Sequence, residues 1–251
     1  MAGREFENKT ALVTGGSRGI GRAVCLALAD AGARVAINYT SDEKAAAATL
    51  AEVRSRGGSA MMVQADVSDA GAVSAMAADV ERELGSVDLL VTSAGIVRKE
   101  DHAQMKYPDW QRMMAVNVDG TYLTVMAVKD GMIARGFGRI VCLASIAGLR
   151  PRGQMIAYST SKAAVIGFAR SCAEAFGPAI RVNCVAPGLI ETDMTASMDA
   201  ATKRRFADDA FLKRLGRAEE IAETVTFLLS ERASFTTGQA YVVDGGRVTL
   251  P

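Results

Sequence analysis

Short runs of Val, Ile, Leu and Ala recur along the chain, and between them lie longer stretches with apolar residues three and four positions apart. The short runs predict strands over residues 10–14, 34–38, 60–64, 89–92, 139–143, 181–185 and 240–243. The longer stretches predict helices over 21–31, 42–56, 69–84, 109–135, 158–176 and 219–229. Strands and helices alternating at this spacing make βαβ units, with right-handed crossovers and parallel strands. The predicted fold is α/β: a doubly wound parallel sheet of about seven strands with helices on both faces. The strand runs are continuously apolar, as a sheet covered on both sides requires. No Pro- or Gly-rich linker, low-complexity tract or clear repeat divides the chain, so residues 1–251 read as a single domain. The Ala-rich stretch at 44–51 fits a helix by propensity.

Composition supports this picture. With 49% hydrophobic residues and a mean hydropathy of +0.14, the chain can bury a substantial core. A formal net charge of +1 argues against a nucleic-acid or membrane-surface partner. Cys25, Cys142, Cys172 and Cys184 each sit in an apolar run with no CxxC spacing. They read as buried thiols in a reducing compartment, not as a disulfide framework or a metal site. The first residues hold no apolar signal core, and no apolar run approaches membrane-spanning length, so the expected location is the cytoplasm.

Ligands of such sheets bind beyond the carboxyl ends of the strands, where the strand order reverses. The first predicted strand runs into Thr14-Gly15-Gly16-Ser17-Arg18-Gly19-Ile20-Gly21 and then a helix. Glycines permit the tight turn and the close approach of backbone to a pyrophosphate, whose charge the helix N-terminus favours. A plain structural turn would use the same residues; the strand before and the helix after make the loop a dinucleotide candidate. The second strand ends Asn38-Tyr39-Thr40-Ser41, with no acid before Asp42. A missing acid, with Arg18 at hand for a 2′-phosphate, favours NADP(H) over NAD(H); alternatively Arg18 only caps a surface turn. At the third strand end, Asp66-Val67 offers a carboxylate for an adenine amino group or for capping the next helix. Ser93-Ala94-Gly95 after the fourth strand is small enough for a cofactor to approach, or for a tight turn.

Ser145 closes the fifth strand, and Tyr158 and Lys162 stand four apart, one turn from each other on a helix. An ammonium and an oxidised nicotinamide would both favour tyrosinate and lower the phenol's pKa. Ser145 can donate to a substrate oxygen as charge develops there. A Tyr/Lys pair is ordinarily a surface feature and a strand-end Ser ordinarily a cap; their order in a chain with a dinucleotide loop gives them weight. His102, the sole histidine, lies in a polar loop, and no GxSxG elbow accompanies it.

Taken together, Thr14–Gly21, Asp66-Val67, Asn117-Val118, Ser145, Tyr158-x-x-x-Lys162, Pro187-Gly188 with Thr192, and Val243-Asp244-Gly245-Gly246 resemble the short-chain dehydrogenase/reductase family over essentially the whole chain. The resemblance implies a Rossmann-type sheet and a catalytic set of Asn117, Ser145, Tyr158 and Lys162, with Asn117 holding a water that extends a proton relay from the Lys. It further implies that Pro187, Gly188 and Thr192 flank the nicotinamide, that Ile190 meets its carboxamide through backbone, and that the protein is a homotetramer. Tyr158 and Lys162 thereby also belong to the cofactor site.

Within the family the chain looks most like 3-oxoacyl-[acyl-carrier-protein] reductases, at SRGIGRA and APGLIETDMT. Ser93 stands where that group has a second Asn. Phe176-Gly177-Pro178 lacks its usual docking Arg, and Arg135 lies near the other. The expected activity is NADPH-dependent reduction of a ketone, foremost a 3-oxoacyl thioester, with an acyl-carrier protein as a possible partner. The alternatives are a dehydrogenase of a sugar, polyol, steroid or other secondary alcohol, and a non-catalytic cofactor-binding sensor or assembly subunit. Substrate choice rests on the loop after Gly95 and on segment 195–215, which the pattern leaves unassigned.

Overall fold

A computed structural model describes residues 5–150, 152–196 and 198–249. Its strands are β1 (Thr10–Thr14), β2 (Arg34–Tyr39), β3 (Ala60–Gln64), β4 (Leu89–Thr92), β5 (Gly138–Leu143), β6 (Ile180–Pro187), β7 (Ile190–Glu191), β8 (Gly216–Arg217) and β9 (Ala240–Val243). The helices are α1 (Gly19–Asp30), α2 (Glu43–Ser55), α3 (Ala70–Leu84), α4 (Tyr107–Met114), α5 (Gly120–Ala134), α6 (Ile156–Phe176), α7 (Asp193–Ala196), α8 (Ala200–Asp209) and α9 (Ala218–Leu229). Seven strands form one parallel sheet in the order β3-β2-β1-β4-β5-β6-β9. The doubly wound α/β architecture is as predicted, and its order reverses between β1 and β4.

Strand residues alternate between two apolar layers. Ala11 and Val13 of β1 pack with α1 and α9, including Val24, Leu28, Ile221 and Val225. Leu12 points the other way, toward Val80, Val125 and Val165 of α3, α5 and α6. Burial on both faces is why the strands read as unbroken hydrophobic runs. All four cysteines are buried and unpaired.

Predicted boundaries hold to within about two residues for most elements. Asp42 and Asp69, predicted as first helical residues, are N-caps instead, accepting from Ala45 and Ala72 N–H at 3.0 and 2.8 Å. The helix predicted over 109–135 is not continuous. Residues Ala115–Asp119 form a π-helical turn between α4 and α5, a local widening common at functional sites. Periodicity misses it because the flanking helices keep their apolar positions; the turn carries Asn117 into the interior, fully buried. Segment 195–215 contains α8, and β7 pairs with β8 in a separate two-stranded ribbon beside the main sheet.

Candidate active site

The carboxyl ends of the main strands open onto a cleft of about 580 Å³, a size suited to small ligands. Another hollow, between α1 and α9, is walled by ion-paired surface residues including Arg22, Glu52 and Arg56, and it holds none of the predicted site residues.

At one end of the cleft the wall is mostly backbone. Gly15 has φ +64°, and a Cβ there would meet Ala94 backbone atoms at 2.9 Å. A Cβ on Gly21 would lie 2.2 Å from the Gly15 carbonyl oxygen. The loop can therefore close only with glycine at these two positions. No side chain caps α1, whose N-cap is Arg18, so its leading N–H groups retain donors for an anion. The loop thus fits a dinucleotide pyrophosphate. Ser17, Arg18, Gly19, Ile20, Thr40, Asp66, Val67, Ser93, Ala94 and Gly95 line the same cleft.

Asn38 does not line it. Buried beneath the loop, its Oδ1 accepts from Gly15 N–H at 3.3 Å and its Nδ2 donates to the Ala65 carbonyl at 3.1 Å. Its carbonyl accepts from Gly16 N–H at 2.9 Å. In this structure Asn38 clamps the glycine loop from within, and the residues that line the cleft here are Tyr39, at the end of β2, and Thr40 just beyond it. Asp42, which the sequence reading set aside as too late, does reach the cleft, and its Oδ2 stands 3.9 Å from Arg18 Nη1. Asp66 lines the cleft and does not cap α3. Its Oδ1 accepts from Ser68 N–H and Oγ, and Oδ2 pairs with Arg112 at 3.0 Å, while Asp69 caps α3. The hydrogen bonds from Ser68, aided by Arg112, hold its carboxyl below the usual range.

The predicted reacting group assembles where β5, α6 and the loop after β4 meet. Ser145 caps a short 3-10 turn, accepting from Ala147 N–H at 3.1 Å, and still faces the cleft. A Cβ on Gly148 in that turn would lie 2.7 Å from Ala163 N, so the turn packs directly on α6. Tyr158 and Lys162 share one face of α6, with Lys162 Nζ 5.9 Å from the Tyr158 ring centroid. Buried Lys162 donates to the Leu143 carbonyl at 2.8 Å.

The direction of the Tyr158 shift is opposite to the sequence expectation. Burial pushes the phenol up, only partly opposed by its hydrogen bond with Ser145. Lys162 is itself pushed down to about 8 by burial. Desolvation penalises both charged forms here and is the largest cause of each shift.

Asn117 sits behind this group. Its Oδ1 accepts from Ile96 N–H at 2.8 Å, and its Nδ2 donates to the Ile96 carbonyl and to Ser161 Oγ, both at 3.0 Å. Both ends of the amide are engaged by protein, fastening the loop after β4 to α6. A Cβ on Gly95 would come within 3.3 Å of Asn117 Oδ1 and 3.5 Å of Lys162 Nζ.

Pro187, Gly188, Ile190 and Thr192 line the cleft beyond β6. So do Arg152, Met155, Met198, Phe206 and Arg247, none of which the sequence reading singled out. They come from three separated segments, and no spacing rule connects them. His102 lies in a short 3-10 turn with its side chain exposed.

Comparison with known proteins agrees with this geometry. A family model described as enoyl-(acyl carrier protein) reductase matches residues 15–247. A 3-oxoacyl-[acyl-carrier-protein] reductase of Synechocystis sp. is 40% identical over 242 residues, 96% of this chain and 97% of that one. The crystal structure of 3-oxoacyl-[acyl-carrier protein] reductase from Brucella melitensis superposes with a TM-score of 0.93 at 33% identity, covering 99% of this chain and 94% of that one. A gluconate 5-dehydrogenase from Burkholderia cenocepacia, solved with NADP and tartrate, gives 0.92 at 32% identity, with 98% and 97% covered. With the glycine loop, the strand-end serine and the Tyr/Lys pair in one cleft, this chain belongs to the short-chain dehydrogenase/reductase family of oxidoreductases.

Proposed function

We propose that this protein reduces a ketone to a secondary alcohol with NADPH, and that its substrate is a 3-oxoacyl thioester. The observation that carries the reaction is the placement of Tyr158, Ser145 and Lys162 at one point of a cleft whose far end is an uncapped glycine loop. The bound nicotinamide supplies the hydride. Tyr158, kept protonated by burial, donates its phenolic proton to the oxygen of the reacting carbonyl. Ser145 Oγ hydrogen-bonds the same oxygen as negative charge grows on it. Lys162 holds the nicotinamide ribose and places positive charge beside the phenolate left on Tyr158. Asn117 is a positioning residue, holding the loop that carries Gly95 against α6.

NADP preference is supported by Arg18, which stands at the β2 end of the cleft with Thr40 and Ser41. Asp42 stands 3.9 Å from it there, the one ion-pair partner among the described residues. The thioester substrate is supported by relatives named 3-oxoacyl-[acyl-carrier-protein] reductase. Arg135 offers a carrier protein little, since its Nη2 is spent on the Val87 carbonyl at 2.7 Å. The reading includes a homotetramer, supported by exposed Tyr122 and Ile133 on α5, in the reducing cytoplasm that four free thiols suit.

A second reading, oxidation of a hydroxy acid, is favoured by the gluconate dehydrogenase likeness. Rates of NADPH consumption with acetoacetyl-CoA and with a carrier-bound 3-oxoacyl chain, set against NADP⁺ reduction with gluconate, separate the two. Faster turnover of gluconate than of both thioesters would overturn the first.

A further inference from the structure

The cofactor end of the cleft needs positive charge for phosphates. The other end has it too, far from the glycine loop. The sheet order puts β9 four strands from β1, about 19 Å at the usual spacing. Beyond β9, Arg247 turns into the cleft with its side chain only 7% exposed. Beyond β5, in the loop before α6, Arg152 reaches the same end.

Arg247 is held in a built setting. The Asp244 carboxylate accepts from the N–H groups of Gly246, Arg247 and Val248 at 2.9, 3.1 and 2.6 Å, shaping the turn. Gly245 and Gly246 take φ of +69° and +83°, which a side chain would resist. The guanidinium lies 4.2 Å over the Phe206 ring, and one nitrogen pairs with Asp209 at 3.0 Å. That leaves Nε of Arg247 buried with no hydrogen-bond partner. The Nη2 of Arg152 is likewise buried and unbonded. Burial and the neighbouring charges of Arg247, Arg150 and Arg205 all work against its guanidinium, with only Asp209 in its favour. A buried guanidinium and a half-buried one line the same end of the cleft, each with a buried donor unused, and such donors are costly unless an anion meets them.

We propose that Arg152 and Arg247 form an oxyanion subsite for the substrate, taking a carboxylate or phosphate carried by the molecule whose carbonyl meets Tyr158. The inference rests on the reductase reading for the identity of the reacting end. It makes charge, not apolar chain length alone, the determinant of selectivity. A carboxylate near the carbonyl and a phosphate on a thioester carrier share the required chemistry.

The test uses the full chain with NADPH and three 3-oxo probes: acetoacetate, acetoacetyl-CoA and uncharged ethyl acetoacetate. In the wild type at least one anionic probe exceeds the ester in kcat/KM. In Arg152→Gln and Arg247→Gln the ratio of that anion to the ester falls at least about tenfold, mostly through KM. A fall confined to acetoacetate assigns a carboxylate; one confined to acetoacetyl-CoA assigns a phosphate. An unchanged ratio in both variants, or an ester as good as both anions, overturns the subsite. Should none of the probes consume NADPH, the thioester reading fails on its own. Sodium malonate then decides the subsite without turnover: a rise in wild-type Tm abolished by both substitutions supports it, and no rise, or one kept by the variants, overturns it.

Discussion

The two ends of the cleft are built by opposite means. At the β1–β2 end, contact with a ligand falls to backbone, brought close by glycines and braced from below by buried Asn38. At the β5–β9 end it falls to long side chains, Arg152, Met155, Phe206 and Arg247, gathered from distant segments. A backbone cradle tolerates almost no substitution and serves a ligand part common to many enzymes. A side-chain wall can change one residue at a time, which suits the part of the site that selects the substrate. Between them, Tyr158 and Lys162 stand on α6, and Ser145 caps the turn after β5 that packs on α6, so rigid elements serve both ends.

Breaking the junction has the largest effect. Tyr158→Phe lowers kcat about 10²–10⁴-fold, while NADPH affinity, read by cofactor fluorescence, stays within a few-fold. Retained turnover would remove the phenol from the mechanism and leave both ends without a common centre.

The cradle should break by sterics. In Gly21→Ala the new Cβ meets the Gly15 carbonyl oxygen 2.2 Å away, and rigid backbone cannot yield cheaply. A stability loss of about 1–3 kcal/mol is expected for such overpacking, with NADPH binding weakened more than the Tm shift explains.

Asn38→Ala sharpens the point that the brace is not a contact. It strands the Gly15 N–H and leaves the Ala65 carbonyl with the longer bond from Thr40 Oγ1 at 3.4 Å, costing about 1–3 kcal/mol of stability. NADPH and NADH affinities then fall together. A loss confined to one cofactor would return Asn38 to the cofactor surface.

The smallest effects come from exposed or titrating charge. Arg18 is 64% exposed, so Arg18→Ala raises KM for NADPH by about five- to tenfold and leaves NADH nearly unchanged. With pH, Lys162 is the sensitive group. Its pKa is lowered to about 8 by burial, so the ammonium is present below that pH and lost above it. Tyr158 is shifted the other way and stays protonated over the same range. Reductive kcat/KM therefore falls as pH rises through about 8, and a flat profile from pH 7 to 9 would contradict the assignment.

Much of this was legible because it is local. Strand runs, the glycine loop and the Tyr158–Lys162 spacing each depend on residues near one another in the chain. The misses share a cause as well. Asn38 was read as a cofactor contact because it ends a strand, yet the side of the pleat decides where it points. The π-turn at Ala115–Asp119 leaves the flanking apolar pattern intact, so periodicity joined α4 to α5. The expected fall in the Tyr158 pKa rests on nearby positive charge, whereas the largest influence on it here is burial, a property of the packed site.

The sequence by itself determined the doubly wound sheet and the family, and it marked the residues proposed to react, since these rest on periodicity and short-range spacing. Only the tertiary structure decided which residues face the cleft, how its carbonyl-reducing centre titrates, and that Arg152 and Arg247 meet. Those two stand 95 positions apart in sequence, and it is sheet order, not chain order, that brings the ends of β5 and β9 to one wall.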